Sequence, residues 1–217
     1  MQTESINSNN YIYVGFVNTP GLFAAIIRRV IAQKYIHVVL GLDPELKEAY
    51  SVGRRYPSIP IIAGFEKEEK GRILKAFPTA EYQICRIPCT REQRQYIEVT
   101  LHQCMRERYQ YHYTVLGLPF ILWNKPFYQE RHFTCSSYLA KVLESAGVLH
   151  FSKHFSLVTP KDFMEYPNKE VVFEGTLQEL VDTETPQETY DLQTHNTYDR
   201  HGRKMHMAHT GVMKYEY

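Results

Sequence analysis

Features that define several common protein classes are scarce in this 217-residue sequence. The chain has four cysteines, Cys85, Cys89, Cys104 and Cys135, and they are too few and too irregularly spaced for a disulfide scaffold. Cys85 and Cys89 have no second matching pair, which disfavours a zinc site. We therefore expect reduced thiols and no bound metal.

Charge imbalance and long apolar runs are also missing. The formal net charge is +1, so the chain as a whole is not drawn to nucleic acid or to an anionic membrane, although local patches stay open. No apolar run is long enough to cross a bilayer, and residues 1–10 lack the basic and apolar regions of a signal peptide. We expect a cytoplasmic protein with no integral membrane segment and no nucleic-acid partner.

The composition that remains is that of a globular domain. Hydrophobic residues make up 43% of the chain, and the length suits one sizeable core. Residues 1–10 form a polar segment, residues 11–182 the expected domain, and residues 183–217 a polar tail predicted to be mobile. The tail histidines are expected to be solvated rather than metal-bound. They are His195, His201, His206 and His209.

Hydrophobic periodicity predicts an alternation of strands and helices in the domain. Strands rich in β-formers are predicted at residues 11–17, 35–42, 49–53, 81–88 and 171–175. Helices are predicted at residues 22–32, at 90–108 with Thr90 as N-cap, and after Thr159. We expect the strands at 35–42 and 49–53 to pair as a hairpin, and residues 54–65 to be an irregular connection interrupted by prolines.

The most informative helix begins at Cys135. Apolar residues recur at helical spacing after Tyr138, Thr134 is a plausible N-cap, and Gly147 supplies the left-handed stop. A cysteine at a helix start meets unpaired backbone N–H groups and the positive end of the helix dipole, which favour a thiolate nucleophile. A lone cysteine on an amphipathic helix is nevertheless more often a packed core residue than a catalytic one. A general base elsewhere in the chain would favour the catalytic interpretation.

The candidate base is His37, which lies within an otherwise apolar strand. A lone histidine there is more often a core residue, but a strand imidazole facing a helix-start cysteine forms a thiolate–imidazolium pair. Ser51 is our choice for the group that orients the imidazole, because the strand carrying Tyr50 and Ser51 is expected beside His37, in a register the sequence leaves open. Tyr113 is either an oxyanion donor or a packed tyrosine. His132 ranks below His37 as a base.

These motifs, in this order, resemble the circularly permuted NlpC-type papain-like proteins, which are bacterial relatives of cell-wall peptidases and of lecithin:retinol acyltransferase-like enzymes. The motifs are YIHVVLGL at 35–42, YSVGR at 50–54, FTCSSYLA at 133–140, TPKDF at 159–163 and VFEG at 172–175. In that branch the histidine strand precedes the cysteine helix. The resemblance spans residues 11–177 and implies an α+β fold with a small antiparallel sheet packed against helices, including the nucleophile helix.

The resemblance also implies Cys135 as nucleophile and His37 as base. The third polar residue varies in that family, so Ser51 stays our own choice for it, and our candidate substrate-binding residues are Tyr113, Tyr50 and Ser136. We expect a cysteine peptidase or amidase that cleaves an amide or ester of a small-molecule, peptide or acyl substrate without a cofactor. No export signal or wall-binding module is visible, which disfavours a cell-wall substrate.

Two alternatives stay open. One is a non-catalytic ligand-binding or regulatory module, with its pocket formed by residues 109–128, Arg54 and Arg55. The other is an acyltransferase that resolves the same acyl-enzyme. The sequence does not define the oligomeric state.

Overall fold

Eight strands of the chain form one mixed sheet. The computed structural model describes residues 10–20, 25, 28, 33–56, 59–114, 117–183, 206–207 and 213–214. The sheet order is β7-β6-β4-β3-β2-β1-β5-β8, and β6 and β7 pair in parallel whereas the other neighbours are antiparallel. The strands are β1 (Tyr11–Asn18), β2 (His37–Gly41), β3 (Ala49–Tyr56), β4 (Ile59–Lys67), β5 (Glu81–Pro88), β6 (His112–Tyr113), β7 (His132–Phe133) and β8 (Glu170–Thr176).

Six α-helices accompany the sheet in the described part of the chain. They are α1 (Lys70–Ala76), α2 (Arg91–Arg106), α3 (Gly117–Leu122), α4 (Cys135–Ser145), α5 (Pro160–Glu165) and α6 (Leu177–Asp182). The expected α+β class is therefore confirmed. The sheet differs from the expected small antiparallel one in size, because eight strands join it, and in its one parallel pair, β6 with β7.

The sheet is covered on both faces, and β1 lies inside it with six consecutive buried residues. Side chains alternate between faces along a strand, so Ile12, Val14 and Phe16 join one core and Tyr13 and Val17 the other. The first core contains the buried stripes of α2 and α4. The second contains the buried Leu177 and Leu180 of α6, and the partly buried Ile73 and Leu74 of α1 pack against it. Burying each large apolar side chain contributes about 2 kcal/mol, so both helical layers hold the central strands in place.

Two predicted segments differ in outcome. The hairpin of β2 and β3 is confirmed, with Leu40 opposite Tyr50. Residues 54–65 were expected to be an irregular connection, and this was wrong. They contain the end of β3 and most of β4, which pair closely, with Ser51 opposite Glu66. Prolines 57 and 60 suggested a break, but Pro60 lies near the start of a strand, where a missing N–H is tolerated.

Other local predictions are confirmed. The strand at 81–88, the helix capped by Thr90, the short helix after Thr159 and the closing strand are all present, and Gly147 has φ 67°. The helix predicted at 22–32 and the tail histidines 195, 201 and 209 lie outside the described residues, apart from positions 25 and 28.

Residues 1–185 and 186–217 form two separate compact units. In the second unit, β9 (His206–Met207) pairs antiparallel with β10 (Met213–Lys214). None of the helices in the described ranges has the length and apolar character needed to traverse a lipid bilayer.

Candidate active site

Cys135 is the first residue of α4, and the sequence around it fixes that start. The Thr134 hydroxyl accepts a hydrogen bond from the Ser137 backbone N–H at 3.1 Å, while the Ser137 hydroxyl accepts one from the Thr134 N–H at 2.8 Å. This reciprocal capping box satisfies two N–H groups that a helix start leaves unpaired. All of these groups are buried. The cap therefore holds the Cys135 thiol rigidly at the positive end of α4.

The thiol meets the sheet where two strands separate. β2 stays paired with β1 as far as His37, but its ladder with β3 consists of two pairs at the opposite end, Leu40 with Tyr50 and Gly41 with Ala49. α4 packs against both strands. The backbone amide of Val38 lies close enough to the Cys135 sulfur to favour the thiolate, and the separation of β2 from β3 leaves this amide available.

His37 is held from its far side by two oxygens. Its Nε2 lies 3.1 Å from the Ser51 Oγ and 3.1 Å from the Glu68 Oε1. The Ser51 hydroxyl donates to the same carboxylate oxygen at 2.5 Å. Because Nε2–H is engaged by these oxygens, Nδ1 is the ring nitrogen left to face Cys135.

Glu68 reaches this position through the hairpin of β3 and β4. It follows β4 directly, and its backbone N–H donates to the Ala49 carbonyl at 2.8 Å. Ala49 and Ser51 lie two residues apart on one face of β3, so Glu68 is the diagonal cross-strand neighbour of Ser51. Sequence reasoning missed Glu68, because it lies in the charged run Glu66–Lys70, which is typical of a solvated turn. Only the strand register could have identified it.

Gly53 gives the His37 ring its space. A Cβ atom at position 53 would lie 3.0 Å from the imidazole Cε1 and 3.4 Å from Nε2. The distance to Cε1 is shorter than most Cβ contacts, so a side chain at position 53 would push the ring by a few tenths of an ångström. Glycine is thus favoured here by close approach, not by backbone conformation.

The electrostatics favour a charged pair. Burial by itself raises a thiol pKa, as it does for Cys85, where the pKa rises to about 11. Burial also opposes ionisation of Cys135, but the His37 imidazolium and the backbone amides of Val38 and Ser136 outweigh it and lower the Cys135 pKa. Two buried cysteines of one molecule are therefore shifted in opposite directions, and the partners of Cys135 account for the difference.

The shifts of His37 and Glu68 agree with that of Cys135. Burial lowers the His37 pKa, but the Cys135 thiolate and the Glu68 carboxylate outweigh it and raise the pKa to about 10. Burial raises the Glu68 pKa, whereas the imidazolium and the Ser51 hydroxyl bring it below its ordinary value. The side chains of His37 and Glu68 are 24% and 17% exposed, so solvent reaches the edge of this cluster. Cys135, His37, Glu68 and Ser51 form one coupled unit.

The predicted substrate-binding residues fall in three different environments. Tyr113 lies close to Cys135, and burial together with the nearby thiolate raises its pKa, so its hydroxyl stays a hydrogen-bond donor at neutral pH. The Ser136 hydroxyl donates to the Val158 carbonyl at 2.7 Å, so only its backbone N–H faces the sulfur. Tyr50 is not part of the cluster, since its hydroxyl donates to Glu48 and its ring stacks on Phe65.

Several other candidates lie apart from the cluster. His132 Nδ1 hydrogen-bonds to the Glu130 carbonyl, and its ring lies beside His112. The Arg55 guanidinium pairs with the Glu66 carboxylate at 2.5 Å and donates hydrogen bonds to the carbonyls of Arg108 and Tyr111. These contacts stabilise β4. Within the described ranges, no group of three or more histidine, cysteine, aspartate or glutamate side chains is arranged to hold a metal ion.

Comparison of the chain with protein-family models, with curated proteins and with solved structures finds no match. The case for this site therefore depends on its geometry and electrostatics.

Proposed function

We propose that the protein is a cysteine hydrolase of the peptidase or amidase type, with a permuted papain-like arrangement in which the base strand precedes the nucleophile helix. The observation that carries this proposal is the coupling of a buried cysteine of lowered pKa to an imidazole of raised pKa, with Glu68 behind the imidazole. A cysteine buried without such partners has its pKa raised, as Cys85 does.

The chemistry follows from the roles of these groups. The Cys135 thiolate attacks the carbonyl carbon of an amide or ester, forming a C–S bond and an oxyanion. The backbone N–H groups at the start of α4 and the protonated Tyr113 hydroxyl are the donors for that oxyanion. The His37 imidazolium gives its proton to the leaving amine or alcohol as the scissile bond breaks.

The second half-reaction releases the acyl group. His37, now neutral, takes a proton from water, and the resulting hydroxide attacks the thioester carbonyl. The C–S bond breaks, the acid is released, and the thiolate–imidazolium pair is restored. Glu68 and Ser51 hold the imidazole in the tautomer and orientation that both steps need. No cofactor takes part in this scheme. The substrate class, a small-molecule or peptide amide or an acyl ester, and the cytoplasmic location stay predictions.

The first test is the pH dependence of Cys135 alkylation by iodoacetamide, read by peptide mass spectrometry. We expect Cys135 to react well below the pH at which Cys85 reacts, with a second rise as His37 deprotonates near pH 10. His37→Ala should abolish the alkylation of Cys135 at acidic pH. The matched control is His132→Ala, which removes a histidine closer in sequence and should leave the profile unchanged. Equal profiles for Cys135 and Cys85 would refute the proposal.

A second test follows the acyl-enzyme. A panel of p-nitrophenyl esters should place the acyl group on the Cys135 peptide, and Cys135→Ala should abolish that adduct. Adding an amine acceptor then separates the hydrolase from the acyltransferase, because a transferase forms amide product in preference to free acid. Absence of any acyl adduct over the whole panel would instead favour a ligand-binding module.

A further inference from the structure

The segment between β6 and β7 carries two adjacent apolar side chains into solvent. Leu122 ends α3 and is 62% exposed, and Trp123 follows it with 66% exposed. We call this pair the apolar tip. Single exposed apolar residues are common on protein surfaces, but a leucine and a tryptophan presented side by side are a feature that calls for a partner.

The tip is held outward by a rigid base. The Phe120 ring stacks on Phe127 with centroids 4.6 Å apart, and Trp123 meets Phe120 edge-on at 5.8 Å. The Trp123 backbone N–H donates to the Pro119 carbonyl at 3.1 Å, and the Phe127 N–H donates to the Ser156 hydroxyl at 3.3 Å. With its own support already packed, the tip does not fold back onto the protein.

The charged residue nearest the tip in the sequence is a lysine. No aspartate or glutamate occurs in the sequence between Glu107 and Glu130, and Lys125 lies exposed two residues after Trp123. The Lys141 ammonium lies 4.4 Å from the centre of the Tyr128 ring and donates to the Tyr128 hydroxyl at 2.9 Å. An apolar tip followed by an exposed lysine, in a stretch of sequence without acidic residues, complements a surface that is apolar inside and negative outside.

We propose that the apolar tip docks the protein on the surface of a bilayer that contains anionic lipids. Tryptophan partitions to the membrane interface, leucine to the acyl boundary, and lysine to anionic headgroups, which matches the order of these side chains along the segment. A protein partner would need a broader complementary area, whereas two protruding side chains suffice for interfacial insertion. The proposal does not depend on the proposed catalytic function.

The chain supplies its own probe, because Trp123 is its one tryptophan. We would titrate the full-length protein with vesicles of phosphatidylcholine containing roughly a quarter phosphatidylglycerol and record tryptophan emission. A blue shift with increased intensity is expected, weaker with pure phosphatidylcholine and reversed by high salt. Leu122→Glu, which keeps the tryptophan, should lower the vesicle affinity about tenfold, and Lys125→Glu should lower it selectively for the anionic vesicles.

The matched control is Val99→Glu, which places the same charge on an exposed apolar position of α2, 56% exposed, and should bind as the wild type does. Unchanged Trp123 emission at low salt would overturn the proposal, as would equal binding by the Leu122→Glu protein. The alternative is that a second copy of the chain covers the tip, and sedimentation velocity without vesicles tests it. A dimer that Leu122→Glu dissociates would support that alternative and overturn the proposal.

Discussion

One carboxylate oxygen of Glu68, Oε1, contacts both His37 and Ser51, and the carboxylate also supplies a negative charge. Its Oε1 accepts hydrogen bonds from His37 and Ser51, and its charge balances the imidazolium while that ring balances the Cys135 thiolate. A carboxylate in this place does more than neutralise charge, because it also fixes which ring nitrogen carries the proton toward it. The pair therefore depends on a residue that is neither nucleophile nor base.

We predict that Glu68→Gln lowers the His37 pKa and slows acylation by on the order of a hundredfold. The amide is close in size to the carboxylate but carries no charge, and its NH₂ can present a donor to the ring. The measurement is the pH profile of Cys135 acylation, in which the limb assigned to His37 should move to lower pH.

The matched control is Glu69→Gln, which removes the same charge from the next residue, where the side chain is exposed. Its profile should match the wild type. Equal effects of the two substitutions would mean that Glu68 acts on His37 only through its negative charge, and would contradict its role in orienting the imidazole.

Among single residues, local sequence signals selected Cys135 and His37, which the structure brings together, but not their complete surroundings. Cys135 follows an N-cap residue and His37 interrupts an apolar strand, and both signals lie within a few positions. Ser51 needed the register of β3, and it does contact His37. Glu68 needed the register of a second strand as well, which no local pattern supplies.

At the scale of elements, the N-terminal cap of α4 stabilises the same helical turn that carries the Cys135 thiol. Thr134 and Ser137 form a buried capping box, whereas Thr90 and Gln93 form an exposed one at the start of α2. The two helices, α2 and α4, were predictable because N-terminal caps and left-handed C-terminal stops are local signals. β4 was not, because its partners β3 and β6 are fixed by long-range pairing.

We predict that Thr134→Ala lowers the free energy of unfolding by about 1 kcal/mol or somewhat more and also slows alkylation of Cys135 at acidic pH. Loss of the cap frees the first turn of α4, which carries the thiol and the Ser136 amide. Urea unfolding measures the first effect and peptide mass spectrometry the second.

Thr90→Ala is the control for this prediction. It removes an equivalent hydrogen bond, 3.2 Å from the Gln93 N–H, at a helix that carries no site residue. It should cost a similar unfolding free energy and leave Cys135 reactivity unchanged. If both variants slowed alkylation equally, the loss would reflect stability alone.

At the scale of the whole molecule, the sheet brings distant parts of the chain to one place. His37 lies on β2, Glu68 follows β4, and Cys135 arrives after two short strands and α3. The order of the eight strands was not predictable, because β1 pairs with both β2 and β5, and β8 returns to β5 from far along the chain. Long-range pairing of this kind leaves no periodic signal in the sequence.

The charged pair also makes a prediction for the pH dependence of global stability. His37 has a raised pKa, so its contribution is complete below its ordinary value of 6.5 and is lost as pH rises toward about 10. Cys135 has a lowered pKa, so its contribution is complete above its ordinary value of 9.0 and is lost as pH falls. Between 6.5 and 9.0, at every pH above the lowered pKa of Cys135, the native charged pair and the unfolded neutral pair hold one proton each, and the two slopes cancel.

We therefore predict that Cys135→Ala exposes the slope of His37, because Glu68 still favours the imidazolium after the thiolate, its larger stabilising partner, has gone. Relative to wild type, the unfolding free energy of the variant should fall as pH rises from 6.5 to 9.0, by at most about 1.4 kcal/mol per pH unit. Urea titrations at several pH values measure the difference. Cys85→Ala is the control, because the raised pKa of Cys85 places its titration above this interval, so its cavity should cost a constant amount. A Cys135→Ala curve parallel to wild type would mean that Glu68 alone does not offset the burial of His37, and would contradict this prediction.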